Sequence, residues 1–224
     1  MKLMLDLVRR HKQAANGDVA IGIPSVCSAH PVVIAATLRE CAAQGRPALI
    51  EATSNQVNQD GGYTGMTPLD FRRHVQDLAT AEGLAPELLL LGGDHLGPNA
   101  WRKLPADAAM AKAEVMVAQY VGAGFRKIHL DCSMSCAGDP VPLPEPEIAA
   151  RAVRLCRAAE QAWASAPDRG DPPVYVIGTE VPVPGGAHED LGELAVTSPD
   201  AAASTLVIPP LSTIGSCGCA ALSR

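Results

Sequence analysis

Asp94 and His95 are the adjacent residues best suited to chemistry in this sequence. They follow a run of leucines and two glycines in the stretch LLLLGGDHLGPN, residues 88–99. Four leucines in a row predict a strand that is buried on both faces, and the glycines predict a sharp turn into a loop that carries the pair. An imidazole can bind a divalent cation while the carboxylate exchanges a proton, which suits chemistry beside a sugar carbonyl. His95 is therefore a candidate metal ligand, and Asp94 is a candidate catalytic acid or base.

A single Asp-His pair does not make a zinc site. Catalytic zinc normally has three protein ligands, and the sequence identifies only one imidazole here. His129 falls inside a predicted strand and is assigned to packing, whereas His30 stands before Pro31 at a helix start and fits either role. Zinc or another divalent cation is a candidate cofactor, but we expect this chain to bind zinc weakly.

Polar residues also occur at the ends of the other predicted strands. In a barrel of parallel strands the carboxyl ends converge on one mouth, where substrates bind. The alternative is that strand ends are polar because they face solvent. On the barrel interpretation, the candidate substrate-binding residues are Ser28, Glu51, Asn55, Asp131 and Glu180.

The segment GGYTG offers a candidate phosphate-binding loop through the backbone amides of Gly61, Gly62 and Gly65. Consecutive amides in such loops can surround an anion. Glycine-rich loops before helices are common, so an ordinary turn is an equally good interpretation. The cysteines of CSMSC, Cys132 and Cys136, lack the partners of a zinc site and are read as ordinary thiols.

The elements that would position these residues follow from hydrophobic periodicity. Strands are predicted at 19–23, 48–51, from 88 onwards, at 127–130 and at 174–177. Helical spacing of apolar residues is found at 3–8, 34–41, 71–78, 110–120 and 148–163. Strand and helix alternate five times without a hairpin signal, so the sequence predicts an α/β fold with a parallel sheet.

Both a barrel and a doubly wound sheet fit this alternation. A dinucleotide-binding sheet should carry a glycine fingerprint after its first strand, and the stretch IGIPSVCSAHP has none. The sequence also lacks the GxxxxGK[ST] pattern of a nucleotide P-loop. These observations favour the barrel.

Composition excludes several classes of function. The chain has 224 residues, a formal net charge of -6 and no basic tract, which argues against a nucleic-acid-binding surface. No apolar run approaches membrane-spanning length, and the N-terminus is interrupted by charges before a signal-type segment develops, so a cytoplasmic location is expected. Seven cysteines form an odd, scattered set, which favours reduced thiols.

Five stretches of the chain resemble a known family. They are SVCSAHP at 25–31, EATSNQVNQDGGYTGMTP at 51–68, GGDHLGPN at 92–99, AGFRKIHLDCSMSCAGDP at 123–140 and YVIGTEVPVPGG at 175–186. In this order they closely resemble the Z subunit of tagatose-bisphosphate aldolase, from about residue 5 to residue 206.

The resemblance implies a (β/α)8 TIM barrel related to the zinc-dependent class II aldolases of galactitol or N-acetylgalactosamine catabolism. In that family the Z chain is regarded as a non-catalytic partner that supports a separate catalytic aldolase subunit. Some relatives resemble metal-dependent sugar-phosphate aldolases or 4-epimerases, which gives an alternative in which this chain binds a sugar phosphate itself. Asp94 and His95 match the Asp-His pair that class II aldolases use as acid/base and metal ligand.

The C-terminus departs from the family pattern. We expect residues 1–206 to form a partial barrel domain with about five β/α units, and residues 207–224 to form an irregular tail outside the family. Further strands would be expected to supply the remaining metal ligands. An incomplete barrel would leave strand edges open, so an oligomer is expected, and a non-functional truncated fragment is the third interpretation.

Overall fold

A computed structural model describes residues 3–14, 22–167 and 170–177. Five helices alternate with five strands along this part of the chain. The helices are α1 (Leu3–Ala14), α2 (Pro31–Gln44), α3 (Pro68–Ala81), α4 (Ala106–Gly122) and α5 (Glu145–Ser165). The strands are β1 (Ser25–Cys27), β2 (Ala48–Thr53), β3 (Leu89–Leu96), β4 (Lys127–Leu130) and β5 (Val174–Ile177).

The strands form one parallel sheet in the order β1-β2-β3-β4-β5. A doubly wound sheet would reverse its strand order at a switch point, whereas this order follows the sequence throughout. The arrangement is therefore part of a TIM-barrel-like fold, as the sequence predicts. The predicted bounds of β4 and β5 are confirmed, and β2 continues two residues further than predicted, to Thr53.

Two strand predictions need correction. The first strand was expected at 19–23, of which residues 19–21 fall outside the described part. Residues 22–24 are not strand, and β1 lies instead at Ser25–Cys27. Pairing with Leu49–Glu51 of β2, rather than its own apolar character, defines β1. The loop expected after residue 93 is instead the last part of β3, because pairing with β4 resumes between Leu96 and Leu130.

The helix boundaries follow local capping chemistry. Thr67 and Asp70 form a capping box at the start of α3, and Gly45 ends α2 with a left-handed φ of 60°. The Nδ1 atom of His30 accepts a hydrogen bond from the amide of Val32 at 3.2 Å, so this imidazole caps α2. His30 is exposed and caps the helix, so the structure gives it a role other than packing.

The core divides into two apolar regions. The larger lies between the sheet and helices α2 to α5, with fully buried residues such as Ile50, Phe71 and Tyr120. The smaller lies near the amino ends of the strands, where Met4 of α1 packs with Leu49 and Val174. Glu51, Asp94 and His129 lie further along their strands than Leu49 and Val174 do, whereas the buried Lys127 is the first residue of β4.

Candidate functional site

A β-bulge in β3 brings Asp94 and His95 to the same position opposite β4. Gly93 pairs with Ile128 and Leu96 pairs with Leu130, so two residues of β3 stand against the single residue His129. Such an insertion redirects side chains that would otherwise alternate between the faces of the sheet. His95 has a φ of 48°, a left-handed conformation that is uncommon for a residue with a side chain and that concentrates at functional sites.

Asp94 lies between two imidazoles. Its Oδ1 is 2.8 Å from Nδ1 of His129, and its Oδ2 is 3.2 Å from Nδ1 of His95. The centroids of the two imidazole rings are 4.5 Å apart. One donor atom from each of the three side chains lies within 4.8 Å of the other two, so the three side chains could hold one metal ion. Two imidazoles and one carboxylate form a donor set that zinc accepts in proteins.

The surroundings of Asp94 favour its ionised form. Burial alone would raise the pKa of this carboxyl, but hydrogen bonds from His129 and His95 and the positive charge of Lys127 outweigh burial and hold the pKa well below its usual range. The Nζ atom of Lys127 lies 3.8 Å from Oδ1 of Asp94. Asp94 is therefore a carboxylate at neutral pH and is available as a ligand, whereas its lowered pKa makes it a weak proton acceptor.

Glu51 and Lys127 form a buried ion pair next to this cluster. Glu51, Gly92 and Lys127 occupy one row across β2, β3 and β4. The middle residue has no side chain, so the carboxylate and the ammonium meet across it, with Oε1 2.8 Å from Nζ. A Cβ at position 92 would lie 2.3 Å from Oε1 of Glu51, which shows that this pairing requires glycine.

Strand β1 supplies a hydroxyl and a thiol to the same region. The hydroxyl of Ser25 donates a hydrogen bond to Oε2 of Glu51. Desolvation of the Cys27 thiol, together with the charges of Asp94 and Glu51, raises its pKa to about 12. Cys27 is therefore a neutral thiol at pH 7 and has little nucleophilic character.

Two of the predicted substrate-binding residues, Asp131 and Ser28, have local side-chain partners, and a third, Asn55, has a local backbone partner. The Asp131 carboxylate accepts hydrogen bonds from the amide and hydroxyl of Ser133 at 3.0 and 2.6 Å, and the Ser28 hydroxyl accepts from the His30 amide at 3.2 Å. Asn55 is exposed, and its carbonyl accepts from the Tyr63 amide at 2.9 Å. Of the five residues proposed at the barrel mouth, the structure brings only Glu51 next to Asp94; Glu180 lies outside the described residues.

The glycine loop uses its own amides. The amide of Gly62 donates to Oδ1 of Asn58 at 3.1 Å, and the amide of Gly61 donates to the Asn58 carbonyl at 2.9 Å. Gly61, Gly62 and Gly65 all have positive φ angles, as a tight turn requires. In place of the predicted phosphate cradle, the structure therefore gives Gly61 and Gly62 a role in the turn, because their donors are already occupied.

His129 and Lys127 are the site residues that sequence reasoning missed. The sequence did contain a signal: in KIHLD, the polar residues Lys127, His129 and Asp131 alternate with apolar ones. Inside a buried strand this alternation places polar side chains on one face, here towards Asp94 and Glu51. The assignment of His129 to packing is corrected by its contact with Asp94, which adds the second imidazole that the sequence did not identify.

Comparison with known proteins shows a family and a solved structure to which this chain is similar. The family described as "D-tagatose-1,6-bisphosphate aldolase subunit GatZ/KbaZ-like" matches residues 4–210. A crystal structure described as a probable tagatose 6 phosphate kinase from Sinorhizobium meliloti 1021 is 51% identical, with a TM-score of 0.74. That match covers 88% of this chain and 46% of the other, so the chain spans about half the length of this relative.

Among the helices that the structure describes, none is long and apolar enough to cross a membrane.

Proposed function

The chain belongs to the D-tagatose-1,6-bisphosphate aldolase subunit GatZ/KbaZ-like family, and from this membership we propose that it is the non-catalytic, stabilising subunit of a class II tagatose-1,6-bisphosphate aldolase. The family match over residues 4–210 is the observation that carries the proposal. Its partner would be the separate catalytic chain. The reaction would serve galactitol or N-acetylgalactosamine catabolism in the cytoplasm.

The edges of the sheet are compatible with an assembling role. Within the described residues, β1 hydrogen-bonds only to β2 and β5 only to β4. The edge of a parallel sheet pairs, through its backbone donors and acceptors, with another segment of the same chain or of a partner. We propose an oligomer, either with the catalytic subunit or with further copies of this chain.

Co-expression tests the accessory role. A class II aldolase catalytic subunit is purified with and without this chain, and tagatose 1,6-bisphosphate cleavage and thermal unfolding are measured for both preparations. We expect no cleavage by this chain alone, and higher activity or a higher Tm for the co-purified catalytic subunit. Identical activity and Tm in the two preparations would contradict the proposal.

The Asp94–His95–His129 cluster favours a second candidate, a metal-dependent sugar-phosphate aldolase or 4-epimerase. His95 and His129 would hold a divalent cation, and Asp94 would either complete the ligand set or accept a proton. A cation bound there would polarise a sugar carbonyl. The three side chains are buried or half-buried and lie in contact with one another. Stabilisation of a partner does not require such a polar cluster, and this observation favours the second candidate.

Activity of the isolated chain separates the two candidates. Purified chain is assayed with tagatose 1,6-bisphosphate for triose phosphate release, and with ketose phosphates for epimer formation. The second candidate requires turnover that falls by about a hundredfold or more in Asp94→Asn, because general acid-base catalysis contributes roughly that much. Asp107→Asn is the matched control, since the Asp107 side chain is fully exposed on α4.

Kinase activity is not proposed, although the Sinorhizobium relative is described as a probable kinase. Phosphoryl transfer needs a site that positions nucleotide phosphates, usually through a glycine-rich loop with free amides. The sequence contains no P-loop pattern, and the amides of Gly61 and Gly62 are engaged by Asn58. The aldolase-related chemistry therefore fits the described residues better.

A further inference from the structure

We propose that Glu51 and Lys127 form a subsite for an uncharged sugar oxygen, a hydroxyl or carbonyl oxygen of a ketose or polyol, beside Asp94. The inference rests on the second candidate function in one respect, since it takes a sugar phosphate as the ligand of this barrel. It adds that an uncharged oxygen of that ligand lies at β2 and β4, and that the phosphate does not.

The first argument is the unsatisfied hydrogen-bonding capacity of the pair. The side chain of Glu51 is 1% exposed and that of Lys127 is 8% exposed. Although Oε1 and Nζ are only 2.8 Å apart, neither atom makes a properly aligned hydrogen bond to any residue that the structure describes. A buried ammonium has three donors, and leaving them unmade is unfavourable. A hydroxyl oxygen of a ligand can accept from Nζ and donate to Oε1.

The second argument is the lack of a partner from β3. Gly92 lies between the two side chains in the same row of the sheet, and the Glu51 side chain fills the space above it, since a methyl group there would collide with Oε1. Gly92 has no side chain of its own, so it offers neither Oε1 of Glu51 nor Nζ of Lys127 a side-chain hydrogen bond.

The third argument is charge. Lys127 faces two carboxylates, with Nζ 2.8 Å from Glu51 and 3.8 Å from Asp94. A phosphate placed at the same ammonium would meet both carboxylates at close range, and like charges at such distances repel strongly in a buried site. An uncharged oxygen avoids this repulsion. The phosphate of a sugar phosphate therefore lies away from this subsite.

The fourth argument is the exposure of β1, the strand next to Glu51. Ser25 is exposed, and its hydroxyl donates to the second oxygen of Glu51. Cys27, two residues further along β1, is also exposed. The buried carboxylate is therefore one hydrogen bond away from a residue in contact with solvent, and β1 is the side from which a ligand would approach the pair.

Calorimetry with the full chain tests the proposal, with D-tagatose and D-tagatose 6-phosphate as probes. The main variant combines Glu51→Gln with Lys127→Met, because Lys127→Met alone would leave Glu51 as a lone buried charge. Loss of hydrogen bonds to charged groups should weaken both probes by the same factor, roughly ten- to a hundredfold. Lys112→Met, at a half-exposed lysine paired with Asp60, is the control and should bind both probes as the wild type does.

Three outcomes would overturn the proposal: wild-type affinity in the folded double variant, a loss confined to the phosphorylated probe, or no binding of either probe to the wild type. A competition on the wild type needs no variant: inorganic phosphate should not displace D-tagatose, and displacement would contradict the charge argument. Failure here leaves the accessory role intact, since that role is judged by the Tm and activity of the catalytic subunit. An absent effect on the catalytic subunit, with sugar binding retained, would remove only the accessory role.

Discussion

His129 on β4 and Asp94 on β3 are joined across the sheet by a 2.8 Å contact between Nδ1 and Oδ1. The contact is possible because the bulge places Asp94 and His95 together against His129. The polar centre is therefore built into the strand ladder and not carried by a loop. Residues held by a rigid sheet keep their mutual distances, as a binding or catalytic site requires.

The first prediction concerns metal binding. The sequence alone predicts weak zinc binding, because it identifies one imidazole. With His129 as a further donor beside Asp94 and His95, we expect the chain instead to retain about one equivalent of zinc or a similar divalent cation after dialysis. His129→Ala and His95→Ala should each lower the affinity by at least roughly tenfold, because each removes an imidazole. His74→Ala on α3 is the control. Metal analysis and competition with a chelator measure the effect, and undiminished zinc in His129→Ala would exclude this imidazole as a ligand.

The second prediction concerns Gly92. A methyl group at this position would push into Glu51, so Gly92→Ala should destabilise the fold by about 1 to 3 kcal/mol, as overpacking of a tight core does. Gly122→Ala is the matched control, since a Cβ there meets no atom within 4 Å. Urea unfolding followed by circular dichroism gives both values. Equal stabilities of the two variants would show that Glu51 can move aside without cost.

The third prediction concerns Arg151 of α5. Its guanidinium is 5% exposed and holds Asp139 through two contacts of 2.7 and 2.8 Å. Arg151→Ala leaves that carboxylate without its partner and should cost about 3 kcal/mol, the lower end for a broken buried pair, since Asp139 is only partly buried. Arg154→Ala, at an arginine 42% exposed, should cost about 1 kcal/mol or less. Similar losses in the two variants would contradict this difference.

The fourth prediction gives the pH dependence of the same pair. The hydrogen bond from Arg151 lowers the pKa of Asp139 in the folded protein. A carboxyl whose folded pKa is depressed contributes stability above its unfolded pKa, about 3.9, and loses it as pH falls through the folded value. Wild type should therefore exceed Asp139→Asn by a constant margin from neutral pH to about pH 5. The margin should shrink below about pH 4, and a margin unchanged down to pH 2 would contradict this linkage.

The fold was largely predictable from the sequence because its signals are local. The bounds of β5 follow from a short apolar run and those of β4 from an alternation of polar and apolar residues. Residue types also mark the end of α2, at Gly45, and the start of α3, at Thr67 and Pro68. β1 was misplaced because its three residues are defined by pairing with β2, and no periodicity records a partner strand. Propensity is a weak guide where tertiary pairing decides.

The candidate site was only partly predictable, for a related reason. Asp94 and His95 are adjacent in sequence and could be found, whereas His129 reaches them only through a shift in register between β3 and β4. Lys127 reaches Glu51 only because the residue between them has no side chain. Both relationships are long-range, and a strand read by itself cannot reveal them.

The irregularity in β3 also determines which changes of length the sheet tolerates. Just after the bulge, the Asp131 amide donates a hydrogen bond to the Leu96 carbonyl at 3.0 Å. A Cβ on Gly97 would lie 1.7 Å from the Asp131 carbonyl, so the two backbones are in direct contact there. Deleting one residue between 93 and 96 would restore continuous pairing but leave one residue opposite His129 instead of two. Anyone who grafts this constellation onto another parallel sheet must therefore carry over the extra residue and the backbone-only contact at position 97, as well as the three side chains.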